Sequence, residues 1–334
     1  MTRNEGTLVA TMLLFATCNL GQAQTLPPTI LEIDVENSVI YYEDTSDLSK
    51  FATDPSVTTA IPPRNFGFNV YIADIVAVNG QPAKGTFTRN RRSVSLNRAP
   101  NPGQAIADTV RNDVSTDSFE ILNSDGSSIG TIVAYGLGCG SRAPGAPLSI
   151  TQANLAITGG TGAFLGVRGQ HGQAVTPQGI TPREASMTED PANRRHGGGR
   201  QRFVLQVIPT FQPQIVTTPA GPAIFHADFS SVTSASPAKA GEVLIAKTSG
   251  LGPTVPGVDP GKPFPADALQ QVNSPVAVSV NSKQADVINA IGWPNLVDTY
   301  RVDFRVPDGI AAGNAVIQLS AAWINGSPVN IPVQ

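Results

Sequence analysis

Charged residues, cysteine and histidine are all scarce in this chain of 334 residues. Only 14% of the residues are charged and the formal net charge is -3, so no bulk attraction to nucleic acid or anionic lipid is expected. The three histidines and two cysteines share no spacing typical of a metal site, and no phosphate-binding loop occurs. We therefore expect no metal, no cofactor and no nucleic-acid partner.

Helical periodicity is almost absent, and 32 glycines and 28 prolines interrupt the chain. Inside a helix, glycine costs roughly 1 kcal/mol and proline about 3 kcal/mol relative to alanine. Hydrophobic residues make up 40% of the chain, which is enough for a core. These numbers predict a β-rich globular protein of about two domains. They disfavour a helical bundle, a coiled coil and a multi-span membrane protein.

Residues 1–23 have the features of a secretory signal peptide. Arg3 precedes an apolar run over residues 8–18, and Gly21-Gln-Ala23 supplies small residues where a signal peptidase cleaves. The run is too short to span a bilayer, which takes about 20 apolar residues. We expect cleavage near Ala23 and a secreted, periplasmic or cell-surface protein, with a lipoprotein anchored at Cys18 as the alternative. Only Cys139 then remains, so no internal disulfide is expected.

Alternating apolar and polar residues predict β-strands along most of the chain. The sequence Asn123-Ser-Asp-Gly126 between two such stretches predicts a hairpin, because Asp-Gly favours tight turns. A cluster of prolines between positions 209 and 222 predicts an extended linker. We therefore divide the mature chain into a first domain (24–212), a linker (213–230) and a second domain (231–334).

Residues 176–201 interrupt the strand pattern and predict a long polar loop. Long loops in compact domains are commonly functional or disordered. The alternative is a solvated surface loop whose charges are balanced by its own acidic residues. Cations gather at its end and are candidates for binding a phosphate or a carboxylate. These candidates are Arg194, Arg195, His196, Arg200 and Arg202.

The sequence Gly126-Ser-Ser-Ile-Gly130 matches the G-x-S-x-G pattern of serine hydrolases. In those enzymes the serine lies on a strained turn between a strand and a helix. Here the residues after Ser128 predict a strand, and the many helices of such hydrolases are missing. The sequence therefore does not support a hydrolase or another enzyme with a familiar catalytic cluster.

The most informative segment is Asn154–Gln170, which reads NLAITGGTGAFLGVRGQ. A strand is expected to end at Thr158, and the glycines that follow allow a tight turn with positive φ. Phe164 is then expected to anchor the turn in a core, and Gly166 and Gly169 allow close backbone approach. The residues alone predict a corner between two strands.

This segment resembles the corner of the allene oxide cyclase and dirigent-like superfamily, with its T-G-G-[TS]-G-x-[FY]-x-G-x-x-G pattern. The strand Gly130–Gly136 is also similar to the strand that precedes the corner in that family. The resemblance is strongest over residues 128–172 and extends over about 28–210. It implies an eight-stranded antiparallel barrel, assembly as a homotrimer and an interior that holds one small ligand.

The last third of the chain has a second resemblance. The segments Gly241–Ile245, Thr248–Pro253, Tyr300–Pro307 and Gly309–Gly313 resemble the Ig-like (TIG-like) C-terminal domain of exported bacterial proteins. This resemblance implies an immunoglobulin-like sandwich over about residues 230–334. In other exported proteins this resemblance implies a spacer or an adhesive domain. Extending that role to this chain is an analogy from fold.

The sequence therefore predicts an all-β, exported bacterial protein: a barrel followed by an Ig-like sandwich. Our first hypothesis is a binding module whose barrel holds a small apolar ligand. The alternatives are a cyclase- or isomerase-like enzyme acting on a reactive small molecule, and a structural adhesin without a pocket. Tyr135 and Arg168 lie near the corner and are the ligand-binding candidates if their strands turn them inward; no catalytic residue is assigned.

Overall fold

A computed structural model describes residues 28–42, 68–94, 112–138, 141–175 and 182–334. The expected signal peptide and both cysteines lie outside these residues. The described part is all-β, as predicted, with two 3-10 helices (Gly162–Phe164 and Pro191–Arg195) and no α-helix. In the same part of the chain, no helix is long and apolar enough to cross a membrane.

Eight strands close into an antiparallel barrel, which confirms the expected architecture of the first half. The strands of this half are β1 (Thr29–Tyr42), β2 (Phe68–Val78), β3 (Gln81–Val94), β4 (Asn112–Leu122), β5 (Ser128–Leu137), β6 (Ile150–Gly160), β7 (Arg168–Ala174), β8 (Arg183–Ser186) and β9 (Gly199–Ile208). Strands β1 to β7 pair in sequence, β7 pairs with β9, and β9 pairs with β1. The short β8 runs parallel to β1 beyond the last β1–β9 pair, so it lies outside the eight-stranded ring.

The barrel strands show the alternation that a sheet with one buried face requires. In β4, Ser115, Asp117, Phe119 and Ile121 are buried at every second position, and the residues between them are more exposed. The inward apolar residues of the barrel form one continuous core. The period of two in the sequence therefore specifies which side chains fill the barrel.

The two ends of the barrel differ in their connections. At the short-turn end, two residues link β2 to β3, a five-residue turn links β4 to β5, and the glycine-rich corner links β6 to β7. The chain enters the barrel here at Thr29 and leaves it here at Ile208. At the opposite, long-connection end, the strands are joined by residues 43–67, 95–111, 138–149 and 175–198.

The corner between β6 and β7 depends on glycine and on one buried ring. Gly162 has a φ of 60°, and a Cβ at this position would lie 2.4 Å from the carbonyl oxygen of Ile129. Phe164, two residues later, has no exposed surface and packs into the barrel core. The corner predicted from the sequence is therefore confirmed.

The second half of the chain forms a curled sheet around its own core, which includes Leu244, Val302, Phe304 and Ile317. The main path of this sheet runs β10-β14-β19-β18-β17-β20-β21, and β11 pairs with β12 separately. This strand order does not confirm the immunoglobulin-like sandwich, which stays a prediction. The strands are β10 (Gln214–Ile215), β11 (Thr217–Thr218), β12 (Gly221–Pro222), β13 (Ile224–Phe225), β14 (Val243–Ser249), β15 (Thr254–Val255), β16 (Gln271–Val272), β17 (Val276–Val280), β18 (Lys283–Gly292), β19 (Thr299–Arg305), β20 (Gly313–Ala321), β21 (Ile324–Asn325) and β22 (Val329–Val333).

The residues expected to form an extended linker pair with this second sheet. Both β10 and β13 are antiparallel to β14, and together they cover residues 214–225 with the hairpin β11–β12 between them. The backbone of the connecting segment is therefore tied to the second half of the chain by hydrogen bonds.

The second sheet packs against the short-turn end of the barrel. Ala322 and Ile324, at the turn from β20 to β21, belong to the barrel core, and Trp323 packs against that core. The Asn123 side chain in the β4–β5 turn donates from Nδ2 to the carbonyl oxygen of Asn273 at 2.7 Å. The Asn273 side chain donates in return to the backbone at the start of β5. Apolar packing and the hydrogen bonds of these two side-chain amides to backbone carbonyls therefore join the second sheet to this end of the barrel.

Phe164→Ala is expected to lower the free energy of unfolding by about 3–5 kcal/mol, because it removes a fully buried ring and leaves a cavity at the corner. Leu165→Ala is the matched control, since Leu165 is 62% exposed and should change stability by less than about 0.5 kcal/mol. Urea denaturation followed by circular dichroism measures both. Equal losses in the two variants would contradict the anchoring role of Phe164.

Candidate functional site

Four aromatic rings fill the middle of the barrel. They are Tyr71, Phe87, Phe119 and Phe203, from β2, β3, β4 and β9, and each is at most 2% exposed. The ring centroid of Phe87 lies 4.2 Å from that of Phe203, 4.9 Å from that of Phe119 and 5.0 Å from that of Tyr71. Rings in such contact leave no room for a guest between them. They divide the interior into two halves.

The half at the short-turn end is apolar. Ile33, Ile121, Ile132 and Val207 are fully buried there, and Ile324 of the second sheet belongs to the same core. This half is therefore filled by the protein's own side chains. A ligand inside the barrel would have to approach from the long-connection end.

The half at the long-connection end is polar and contains an Arg–Asp–His cluster. Arg89 donates two hydrogen bonds to Asp117, from Nε to Oδ1 and from Nη2 to Oδ2, each 2.7 Å long. His171 Nε2 lies 2.8 Å from Asp117 Oδ2, close enough for an ion pair when the ring is protonated but without hydrogen-bond alignment. The three side chains are at most 3% exposed.

The environment of Asp117 keeps its carboxylate ionised. Burial raises the pKa of this group, but the charge and hydrogen bonds of Arg89 and the contact with His171 outweigh burial, and the pKa falls to about 2. The Arg89 guanidinium also lies 5.7 Å from the ring centroids of Phe87 and Phe203, within cation–π range. Within the described ranges, no group of three His, Cys, Asp or Glu side chains could hold a metal ion.

Polar atoms without a well-aligned hydrogen-bond partner among the described residues surround this cluster. Burial raises the pKa of the Tyr71 hydroxyl to about 12, and the nearby Ser38 hydroxyl does not complete an aligned bond with it. A buried polar atom left unpaired costs about 1–3 kcal/mol, so native cores place water or a ligand beside it. The atoms are Ser38 Oγ, Asn69 Oδ1, Tyr71 Oη, Ser115 Oγ and His171 Nδ1, each on a residue at most 2% exposed.

Tyr135 and Arg168 do not point into the barrel. Tyr135 follows the inward-facing Ala134 in β5 and is 55% exposed. Arg168 begins β7, is exposed, and donates from Nη1 to the carbonyl oxygen of Val167 at 2.9 Å. The condition for their role in ligand binding, that the strands turn both side chains inward, is therefore not met; a difference of one residue in strand phase reverses the face.

The basic residues at the end of the long loop are not assembled into one anion site. Arg194 pairs with a carboxylate of β2, and Arg200 and Arg202, which lie in β9, pair with carboxylates of β1. His196 is exposed, and the side chain of Arg195 lies outside the described part. The pairs are Arg194–Asp74 at 2.6 Å, Arg200–Glu36 at 2.7 Å and Arg202–Asp34 at 2.6 Å.

A concavity with a volume of about 660 Å³ lies between the barrel and the second sheet. Its lining includes the glycine-rich corner, residues 209–214 and the aromatic side chains of Phe264 and Tyr300. None of the buried polar atoms that lack a partner in the described residues belongs to this lining. The polar half of the barrel is therefore the stronger candidate site.

The sequence analysis did not identify Arg89, Asp117 or His171. A signal for one of them was present, because Asp117 occupies the same phase of β4 as the apolar Phe119 and Ile121. A carboxylate on the apolar face of a strand must find a buried partner. The partner itself lies on another strand, and no local pattern marks it.

No family model matches this chain, and no curated protein matches it. Among solved structures, the chain is similar to a polysaccharide lyase at 8% identity with a TM-score of 0.19. That match covers 92% of this chain and 40% of the lyase chain, so this chain spans less than half of the lyase's length. A likeness at this TM-score carries no argument about fold or activity. The interpretation of the site depends on its geometry.

The free energy of unfolding is expected to fall as the pH drops from about 4 to about 2. A carboxyl whose pKa is lowered on folding, here from 3.8 to about 2, adds stability above its unfolded pKa and loses it on acidification. Asp117→Asn should lack this part of the pH dependence. It should also be about 3–5 kcal/mol less stable at neutral pH, because the Arg89 charge stays buried without this carboxylate.

Urea denaturation of the wild type and Asp117→Asn across this pH range measures the effect. Asp259→Asn, at an exposed position in the second half of the chain, is the control for the substitution itself. The difference in stability between the wild type and Asp117→Asn should shrink on acidification. A difference that stays constant with pH would contradict the assignment of a lowered pKa to Asp117.

Proposed function

We propose that the barrel binds a small amphipathic molecule at its long-connection end. One observation carries the proposal: buried polar atoms without aligned partners surround the Arg89–Asp117 pair, above a floor of aromatic rings. Such atoms reduce stability unless something completes their hydrogen bonds. A bound molecule would complete these hydrogen bonds, which the packing of the barrel alone leaves unmade.

The two layers of the site define the chemistry of this molecule. The rings of Tyr71 and Phe203 favour an apolar or aromatic body. The hydroxyls of Tyr71 and Ser115 both donate and accept, and the Asn69 side-chain oxygen accepts. The polar head should therefore carry hydroxyl or carbonyl oxygens. This chemistry refines the small apolar ligand that the sequence analysis expected.

A cyclase- or isomerase-like enzyme is the second candidate, and His171 favours it. Its Nε2 faces Asp117 at 2.8 Å, and its Nδ1 has no partner among the described residues. An imidazole held against a carboxylate can take up and return a proton through its other nitrogen. A binding protein would return its ligand unchanged, whereas an isomerase would convert it.

The proposal for the whole chain extends the two resemblances of the sequence. A closed barrel of eight antiparallel strands is the fold that the allene oxide cyclase and dirigent-like resemblance implies. On this proposal the protein is exported after cleavage near Ala23, the barrel assembles as a homotrimer, and the second half is an Ig-like spacer or adhesive module. A structural adhesin is the function that remains if the barrel binds nothing.

Nile red, a neutral aromatic dye with a carbonyl oxygen, is a suitable probe of the proposed site. Tyr71→Phe should weaken its binding by about tenfold or more, because the variant loses a buried donor to the carbonyl oxygen. The same variant should be as stable as the wild type or more stable, since the lost hydroxyl has no aligned partner in the described structure. Fluorescence titration and urea denaturation measure the two effects.

Tyr300→Phe is the matched control in the second sheet. The Tyr300 hydroxyl donates to the carbonyl oxygen of Gly252 at 2.6 Å, so its removal should reduce stability by about 1 kcal/mol. Affinity for Nile red should not change. A loss of affinity in Tyr300→Phe alone would move the site to the concavity beside the second sheet. A wild type without saturable binding, or a Tyr71→Phe that loses stability and keeps affinity, would overturn the barrel site for this ligand class.

A further inference from the structure

A serine, a histidine and a glutamate meet at the surface of the second half of the chain. Ser236 Oγ lies 3.2 Å from His226 Nε2. On the other side of the ring, His226 Nδ1 lies 2.6 Å from Glu242 Oε1. The three groups therefore stand in the order nucleophile, base and carboxylate that serine triads use. None of them belongs to the barrel cluster or to the G-x-S-x-G motif.

Local turns hold the three groups in place. Glu242 Oε2 accepts a hydrogen bond from the backbone N–H of Lys239 at 2.9 Å, so both carboxylate oxygens are engaged. The backbone N–H of Ser236 donates to the carbonyl oxygen of Thr233 at 3.0 Å. His226 is fixed by backbone hydrogen bonds within its own turn. Hydrogen bonds to or from the backbone therefore anchor all three residues.

The exposure of the groups suits a reaction at the surface. Ser236 is exposed to solvent. The side chains of His226 and Glu242 are 14% and 24% exposed, so the base and its partner are mostly covered. A reagent can reach the serine, and the ion-pairing groups behind it are shielded from bulk water.

We propose that Ser236 is a nucleophile, activated by His226, that accepts an acyl group from an activated ester. Ser236 Oγ forms a bond to the ester carbonyl carbon while His226 Nε2 takes the hydroxyl proton. The bond from that carbon to the leaving oxygen breaks, and the leaving group takes the proton from His226. A water molecule then attacks the acyl-serine by the same proton transfer and releases a carboxylic acid. Glu242 is a positioning residue, because it holds Nδ1–H and directs the Nε2 lone pair to the serine.

The protonation state of His226 determines whether the serine is activated. Nε2 also lies 3.1 Å from the Ser236 carbonyl oxygen, to which the protonated ring donates, whereas the neutral ring accepts from the hydroxyl. The titratable groups that face the ring are Glu242 and Asp228. The hydrogen bond to Glu242, with a smaller effect of Asp228, raises the pKa of His226 above 6.5. Acylation should therefore increase as the pH rises above neutrality.

The surroundings of Ser236 define the class of reagent. Its backbone N–H already bonds to Thr233, so it does not serve an oxyanion, and one oxyanion donor is worth about 100–1000-fold in rate. Only esters with good leaving groups should react.

Labelling of the full-length chain with a fluorophosphonate probe at mildly alkaline pH tests the proposal. Ser236 Oγ would form a bond to phosphorus, fluoride would leave, and His226 would take the proton. Peptide mass spectrometry should find the adduct on Ser236 in the wild type and nowhere in Ser236→Ala. Ser234→Ala changes an exposed serine two residues earlier and should keep wild-type labelling. With p-nitrophenyl acetate, a burst of nitrophenol close to the protein concentration should appear.

Two further variants separate activation from a structural role. His226→Gln should slow labelling by about a hundredfold or more. Glu242→Gln should shift the pH profile of labelling to lower pH, because the neutral amide no longer raises the pKa of His226. Circular dichroism checks the fold of both variants. Equal labelling of the wild type and Ser236→Ala, or no labelling of the wild type, would overturn the proposal, and neither result bears on the barrel.

Discussion

The barrel depends on β1, which is hydrogen-bonded on both edges. It pairs with β2 along one edge, and along the other it pairs first with β9 and then with β8. Closing the ring removes the unpaired edges that an open sheet would expose. The same strand points Leu31 and Ile33 into the core, and it points Asp34 and Glu36 outward to arginines of the neighbouring β9. Closure, packing and these cross-strand ion pairs therefore depend on one strand.

The apolar half of the barrel interior lies beneath the second sheet. The second sheet covers the short-turn end with Ala322 and Ile324, so the side chains beneath it can be entirely apolar. The opposite half keeps a paired arginine and aspartate and several polar atoms without aligned partners. Proteins tolerate such local losses of stability chiefly at functional sites. The polarity of the interior is thus the main reason for assigning a role in binding to this barrel.

Features that a few adjacent residues determine could be predicted from local sequence patterns. The Asp-Gly turn, the corner around Gly162 and the buried Phe164 each follow from the conformational preferences of a few adjacent residues. The orientation of Tyr135 could not be predicted, because a shift of one residue inverts the face of a strand. The polar cluster could not be predicted for another reason. Arg89, Asp117 and His171 lie on three separate strands and meet only when those strands are in register. The arginines of the loop likewise find carboxylates far away in the sequence, as in the pair between Arg194 and Asp74.

The position of the two chain crossings has a consequence for how the barrel can be used. Because Thr29 and Ile208 lie at the same pole, both chain connections of the barrel leave from its short-turn end. Both connections therefore lie on the side away from the cluster of Arg89, Asp117 and His171. A domain whose two chain connections lie at one end can be joined to other domains, or inserted in a loop of another protein, without altering the connections at its opposite end.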